Sequence, residues 1–335
     1  MDFDLPFVWA VVILFAIMMY VVMDGFDLGI GILYPFFPHD EERDVMMNTV
    51  APVWDGNETW LVLGGAGLLA AFPLAYAVLL SAFYLPLIFM LMGLIFRGVA
   101  FEFRFKVHDH ERHWWDKAFI GGSIAATFFQ GVVLGAFVQG VAVADRAYAG
   151  GAFDWISPFS LFTGLSLVVA YALLGSTWLI MKTEGALQER AYAITRHLVW
   201  ALLAAIVMVS IWTPLSDQNI AQRWFSYPNI LWVSPVPLLV ALCAFLLLRA
   251  LLRRAQAMPF LCTLALVFLS YAGFGISLWP NIVPPQISIW SAASPPQSQS
   301  FTLVGALVII PLILGYTIWA YYVFRGKVKH GEGYH

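Results

Sequence analysis

Two short stretches place carboxylates inside otherwise apolar text. Asp24-Gly25-Phe26-Asp27-Leu28-Gly29-Ile30-Gly31 closes one long apolar segment, and Trp54-Asp55-Gly56-Asn57-Glu58-Thr59-Trp60 opens the next. Asp24 and Asp27 are three residues apart, as are Asp55 and Glu58, so on a helix each pair shares a face. An ionised side chain deep in a bilayer costs about 3 kcal/mol on insertion scales and more on physical models. Such groups persist where protons, ions or a partner's charge are handled. Clustered carboxylates suit proton uptake and relay, because burial and mutual repulsion both favour holding a proton. The architectural alternative is that these acids cap helix ends or form ion pairs, for which Arg97, Glu102 and Arg104 are the candidates. Asp55 would serve as a helix cap; Glu58, one turn further in, suits that role less well.

The elements that must position these groups are read from hydropathy. Of 335 residues, 61% are hydrophobic and 11% charged, and the mean hydropathy is +0.81. Successive apolar runs of about 20 residues read as transmembrane helices. They predict an all-α integral membrane protein with nine spans: Phe7–Tyr34, Val50–Ala71, Leu74–Phe96, Phe119–Ala142, Pro158–Met181, His197–Pro214, Ser234–Arg249, Met258–Leu278 and Phe301–Phe324. Loops are short, so residues 1–335 form a single polytopic membrane domain. With the N-terminus outside, the inside segments hold Arg43, Arg97, Arg104, Lys106, Arg112, Lys117, Lys182, Arg190, Arg196, Arg249, Arg253, Arg254, Arg325, Lys327 and Lys329. Only Arg146 and Arg223 fall outside. That asymmetry places the N-terminus outside and the C-terminus in the cytoplasm. Both acidic clusters then lie towards the cytoplasmic side, on adjacent antiparallel helices. Met1-Asp2-Phe3-Asp4 lacks the basic start of a cleavable signal peptide, so none is expected. The Pro-rich outer stretch from Pro280 to Ser300 is expected to be ordered loop. A net charge of −3 says little about partners, and nothing points to nucleic acid.

Several features read as architecture. Gly25-x-x-x-Gly29 and Gly64-Gly65-x-Gly67 allow close helix approach. Trp54 and Trp60 flank the acids as packing or interface residues. Cys243 and Cys262 read as inert buried thiols, about 10 Å apart in depth by helical rise. His39, His108, His110, His113, His330 and His335 fall in loops or the tail, and His197 at the mouth of the sixth span. No pair faces another at mid-membrane depth, so axial haem ligation within this chain is not expected. His108-x-His110-x-x-His113, among Lys106, Arg112 and Lys117, reads as a solvated basic loop.

The two acidic motifs, with Ala51-Pro52 ahead of the second, resemble subunit II of cytochrome bd-type quinol oxidases. Phe96-Arg97-Gly98-Val99-Ala100-Phe101-Glu102-Phe103-Arg104, Trp178-Leu179-x-x-Lys182-Thr183-x-Gly185 and Ala292-Ala293-Ser294-Pro295 agree with it. The resemblance runs in order along essentially the whole chain. The short length and tight loops resemble the cyanide-insensitive branch.

The resemblance implies a heterodimer of similar nine-helix subunits, each made of two four-helix bundles and a peripheral helix. Subunit I would hold two b-type haems, one d-type haem and the quinol loop. The complex would oxidise quinol at the outer side of the bacterial cytoplasmic membrane and reduce oxygen to water with cytoplasmic protons. Redox catalysis is not expected from this chain alone. The family's Trp-Asp-Gly aspartate maps onto Asp55 as the feed of a proton path, and the following Trp onto Trp60 near an oxygen route. Family members can also hold a structural quinone in this subunit, and a small accessory subunit can join the complex. Two alternatives stand beside this reading. A stand-alone proton-coupled transporter would favour inverted repeats and helices broken at the midplane, whereas the acids here lie off-centre. A purely structural subunit would tolerate amides at Asp55 and Glu58.

Overall fold

A computed structural model describes residues 4–328 and 331, the side chain of Asp109 excepted. Lys329, His330 and His335, and the Met1-Asp2-Phe3 start, lie outside the described residues. The chain is built from α1 (Leu5–Leu33), α2 (Asp40–Asn48), α3 (Trp54–Ala71), α4 (Pro73–Phe103), α5 (Arg112–Gln139), α6 (Pro158–Lys182) and α7 (Gly185–Ser216). There follow α8 (Gln218–Phe225), α9 (Asn229–Val233), α10 (Pro235–Leu252), α11 (Met258–Leu278), α12 (Ile289–Ala292) and α13 (Pro296–Val323).

Proline punctuates these starts. Pro6, Pro73, Pro158, Pro235, Pro259 and Pro296 stand in the first turns of their helices, where a missing N–H costs nothing and φ is already suited. Pro86, inside α4, coincides with a break at Phe83, whose φ of −115° and ψ of 18° depart from the helix. Ser157 begins α6 with a capping box to Ser160.

Among the described residues eight helices are long and apolar enough to cross a membrane: α1, α4, α5, α6, α7, α10 extended back through α9, α11 and α13. The predicted second span corresponds to α3. It has 18 residues, and its opening turns hold Asp55, Asn57 and Glu58, so it offers no uninterrupted apolar stretch as long as those of the eight. Boundaries differ from the predicted ones in a consistent way. α4 continues past Phe96 through Arg97 and Glu102, and α7 begins at Gly185 rather than His197. Charge ends an apolar run without ending the backbone hydrogen-bond ladder. α5 likewise starts at Arg112 and stops at Gln139, before the predicted Ala142.

α1 packs against α3, α5 and α6; α4 against α5; α6 against α5, α7 and α11; and α10 against α11. α13 touches α1 and α3 and leaves Phe301, Leu307, Leu312 and Trp319 exposed. Two large apolar cores result, one around Phe26, Tyr34, Phe119, Tyr171 and Trp178, the other around Trp9, Phe72, Phe83 and Val283, and a small third one gathers Ala16, Tyr20 and Trp60. At the second core's end, β1 (Val143–Ala144) pairs antiparallel with β2 (Ala147–Tyr148). The Pro-rich stretch forms β3 (Asn281–Val283) against β4 (Ile287–Ser288), then α12, with Val283, Ile287 and Ile289 buried. It is an ordered cap that includes one short helix, where loop alone was expected.

Candidate functional site

The C-terminal end of α1 is buried from Asp24 through Leu33. The cause is a backbone-to-backbone crossing with α6. A Cβ on Gly29 would strike the Tyr171 carbonyl oxygen, and one on Gly175 would lie 2.6 Å from the Gly29 carbonyl carbon. Glycine alone permits that approach. α4 and α5 meet in the same manner at Gly93 and Gly122, where an added Cβ would lie 2.7 Å and 2.6 Å from opposing backbone. The two crossings carry Asp24, Asp27 and Arg97 into the interior, each with 0% exposure.

Arg97 joins three helices. Its Nη1 donates to Asp24 Oδ1 at 2.6 Å and its Nη2 to Glu58 Oε2 at 2.9 Å. Trp54 stacks on Phe101 with ring centroids 5.0 Å apart and lies 5.7 Å from the guanidinium carbon. The Glu58 side chain keeps 29% exposure. Asp55 is exposed and close enough to Glu58 for their charges to interact. Acidic groups therefore run inward from Asp55 to Glu58 and, across Arg97, to Asp24. Asp55 does not cap α3: the N-cap is Val53, and no side chain caps it. Asp55 stands instead in the first turn, where the helix dipole favours a carboxylate.

Asp27 has different company. Asn57 Nδ2 donates to Asp27 Oδ2 at 2.7 Å and reaches the Met23 carbonyl at 3.3 Å. Tyr321, from α13, donates its hydroxyl to Asn57 Oδ1 at 2.9 Å. A parallel chain approaches Asp24: Tyr171 donates to Gln130 Oε1 at 3.1 Å, and Gln130 Nε2 donates to the Tyr20 hydroxyl at 2.6 Å. Tyr20 in turn is a neighbour of Asp24. The buried atoms Asp24 Oδ2, Asp27 Oδ1 and Arg97 Nε have no hydrogen-bond partner among the described residues.

Trp60 is fully buried against Ala16 and Tyr20 and meets Phe15 edge-on at 5.7 Å. Arg104 and Glu102 lie away from the cluster. Arg104 Nε donates to Asp116 Oδ1 at 2.6 Å and its Nη1 to Asp44, while Arg43 holds Asp116 Oδ2 at 2.8 Å. With Glu42 bound to Arg190 at 2.5 Å, this second ionic layer fastens α2 to α4, α5 and α7. Glu102 pairs with Lys106 at 2.9 Å on the surface, with 59% and 70% exposure.

Sequence reasoning did not find Asn57, Tyr321, Tyr20, Gln130 or Tyr171 as partners of the acids. Asn57 stood inside the quoted motif; the others had no local signal, since neutral polar residues in apolar helices are common. Among the described residues no group of three or more His, Cys, Asp or Glu side chains is arranged to hold a metal ion. Cys243 and Cys262 are free thiols.

The model of the family described as cytochrome bd terminal oxidase subunit II matches residues 5–324. The chain is 32% identical to "Probable cytochrome oxidase subunit 2" of Haemophilus influenzae, covering 97% of this chain and 95% of that one. It is 30% identical to "Cytochrome bd ubiquinol oxidase subunit 2" of Bacillus subtilis, covering 97% of each. It is likewise 30% identical to "Cytochrome bd-I ubiquinol oxidase subunit 2" of Escherichia coli K12, covering 97% and 95%. The solved bd oxidase from Geobacillus thermodenitrificans shares the fold, with a TM-score of 0.76 at 18% identity over 96% of this chain and 99% of that chain.

Proposed function

The chain belongs to the family of subunit II of cytochrome bd terminal oxidases, and from that premise we propose that it supplies the cytoplasmic proton entry of a quinol:oxygen oxidoreductase. It is a multi-pass protein of the bacterial cytoplasmic membrane and part of a complex with subunit I. In this reading α3 is the ninth span. The first four long helices (α1, α3, α4, α5) and the next four (α6, α7, α10, α11) form two bundles, with α13 peripheral. Electron transfer and the b-type and d-type haems belong to subunit I, which this chain binds and stabilises.

The observation that carries the proton-path reading is the inward run of acids. Asp55 is open to solvent in the isolated chain, Glu58 is half-buried, and Asp24 is sealed behind Arg97. A proton taken up at Asp55 passes to Glu58 or onward into subunit I, and Trp60 serves as packing beside the route. Turnover of the assembled complex tests this. Asp55→Asn, with normal haem content, slows oxygen reduction. Unchanged turnover at normal haem content overturns the proton-path role and leaves a structural subunit.

A further inference from the structure

Three carboxylates, Asp24, Asp27 and Glu58, surround one guanidinium, that of Arg97. Arg97 is committed to two of them, at 2.6 Å and 2.9 Å. Asp27 forms no ion pair among the described residues. The groups that face it are Asp24 from its own helix, Asn57 and Glu58 from α3, and Arg97 from α4. From α13, Tyr321 faces it through Asn57. Its Oδ2 is held by the neutral Asn57 amide at 2.7 Å, and its Oδ1 is buried with no partner. The Tyr321 ring belongs to an aromatic cluster: Phe26 stacks on Trp178 at 4.3 Å, and Trp178 meets Phe260 at 5.2 Å and Tyr321 at 6.3 Å. A fully buried, unpaired carboxylate beside two others is the arrangement that a proton relieves most directly.

We propose that Asp27 is the proton-loading carboxyl of this cluster, held in place by Asn57 and Tyr321 as positioning residues, while Asp24 stays the anion paired with Arg97. Loading breaks the O–H bond of a protonated Glu58 and forms one at Asp27 Oδ1, so the negative charge passes from Asp27 to Glu58 and no electron moves. Unloading returns that proton to Glu58 and leaves a carboxylate hydrogen-bonded to Asn57. The donor chain is directional: the Tyr321 hydroxyl donates to the Asn57 carbonyl oxygen, which fixes the amide with its N–H towards Asp27. The amide orientation is therefore set by a residue from α13, 264 positions away.

This inference rests on the proton-uptake reading, yet it is read in the resting complex and not in turnover, so the two fail separately. Infrared difference spectra of the assembled oxidase, with isotope labelling of aspartate side chains, report protonated carboxyls through their C=O stretch. The expected result is a deuterium-sensitive aspartate band in the wild type that is absent in Asp27→Asn and retained in Glu58→Gln. Tyr321→Phe keeps the ring and removes only the hydroxyl, and it shifts the frequency of the same band. No aspartate carboxyl band in the wild type, or a band unchanged in Asp27→Asn, overturns the proposal. Should Asp27→Asn fail to assemble, Tyr321→Phe decides alone: an unmoved band overturns it.

Discussion

Arg97 Nη1 and Asp24 Oδ1, 73 residues apart in the chain, form a 2.6 Å ion pair whose side chains keep 0% and 1% exposure. A buried pair of this kind adds little net stability over an apolar replacement, but removing one partner strands the other's charge, at about 3–5 kcal/mol. Arg97→Gln strands two carboxylates at once. The expected outcome is a large loss of assembled complex and a lower thermal midpoint, partly restored when Asp24→Asn is added in the same chain. A thermal double-mutant cycle measures the coupling. Strictly additive effects would show that the pair does not organise the cluster.

The Gly29–Gly175 crossing predicts a sharp contrast between glycines. Gly29→Ala drives a methyl into the backbone of α6 and is expected to cost about 1–3 kcal/mol by overpacking. Gly121→Ala meets nothing within 4 Å and gains up to about 1 kcal/mol of helix propensity. Thermal midpoints of the purified complex separate the two, and equal midpoints would contradict the close crossing.

Much of this arrangement was legible in the letters, and the remainder fails to show for identifiable reasons. Apolar runs locate the helices because a bilayer demands them, but they stop at Phe96 where α4 continues to Phe103, since Arg97 and Glu102 end the run and not the helix. The three-residue spacing places Asp55 and Glu58 near one another. It cannot say that Asp55 looks outward while Glu58 turns towards Arg97, because the orientation of α3 is decided by its packing on α1. α2 escaped as an element because the charged run of Asp40, Glu41, Glu42, Arg43 and Asp44 lies between two apolar segments and carries no hydropathy signal. Those same charges anchor it through Arg104, Asp116 and Arg190.

That anchoring leads to a third expectation. Arg104 has no exposed side-chain surface and bridges Asp116 and Asp44, so Arg104→Gln leaves both acids short of their nearest cation. α2 should then detach locally while the long helices persist. Limited proteolysis reads this as faster cleavage within residues 40–48, with little change in helix content. Unaltered cleavage there would mean that apolar contacts of Met46 and Met47, both fully buried, hold α2 unaided.

Glu58 and Glu102 provide a matched pair for separating burial from charge. Both are glutamates hydrogen-bonded to a cation at 2.9 Å. Glu102 and Lys106 form an exposed i, i+4 pair, worth at most about 0.5 kcal/mol, so Glu102→Gln should leave stability and oxygen reduction at wild-type levels. Glu58 bonds a fully buried guanidinium that is also held by Asp24, so Glu58→Gln keeps an acceptor for Arg97 and the complex assembles. What the amide loses is the capacity to exchange a proton with Asp55. A positioned proton donor or acceptor typically contributes about 10²-fold or more to a rate, so slowed oxygen consumption at normal haem content is the expected result for Glu58→Gln. Two glutamines with indistinguishable turnover would remove Glu58 from the proton route and reduce its bond to Arg97 to architecture.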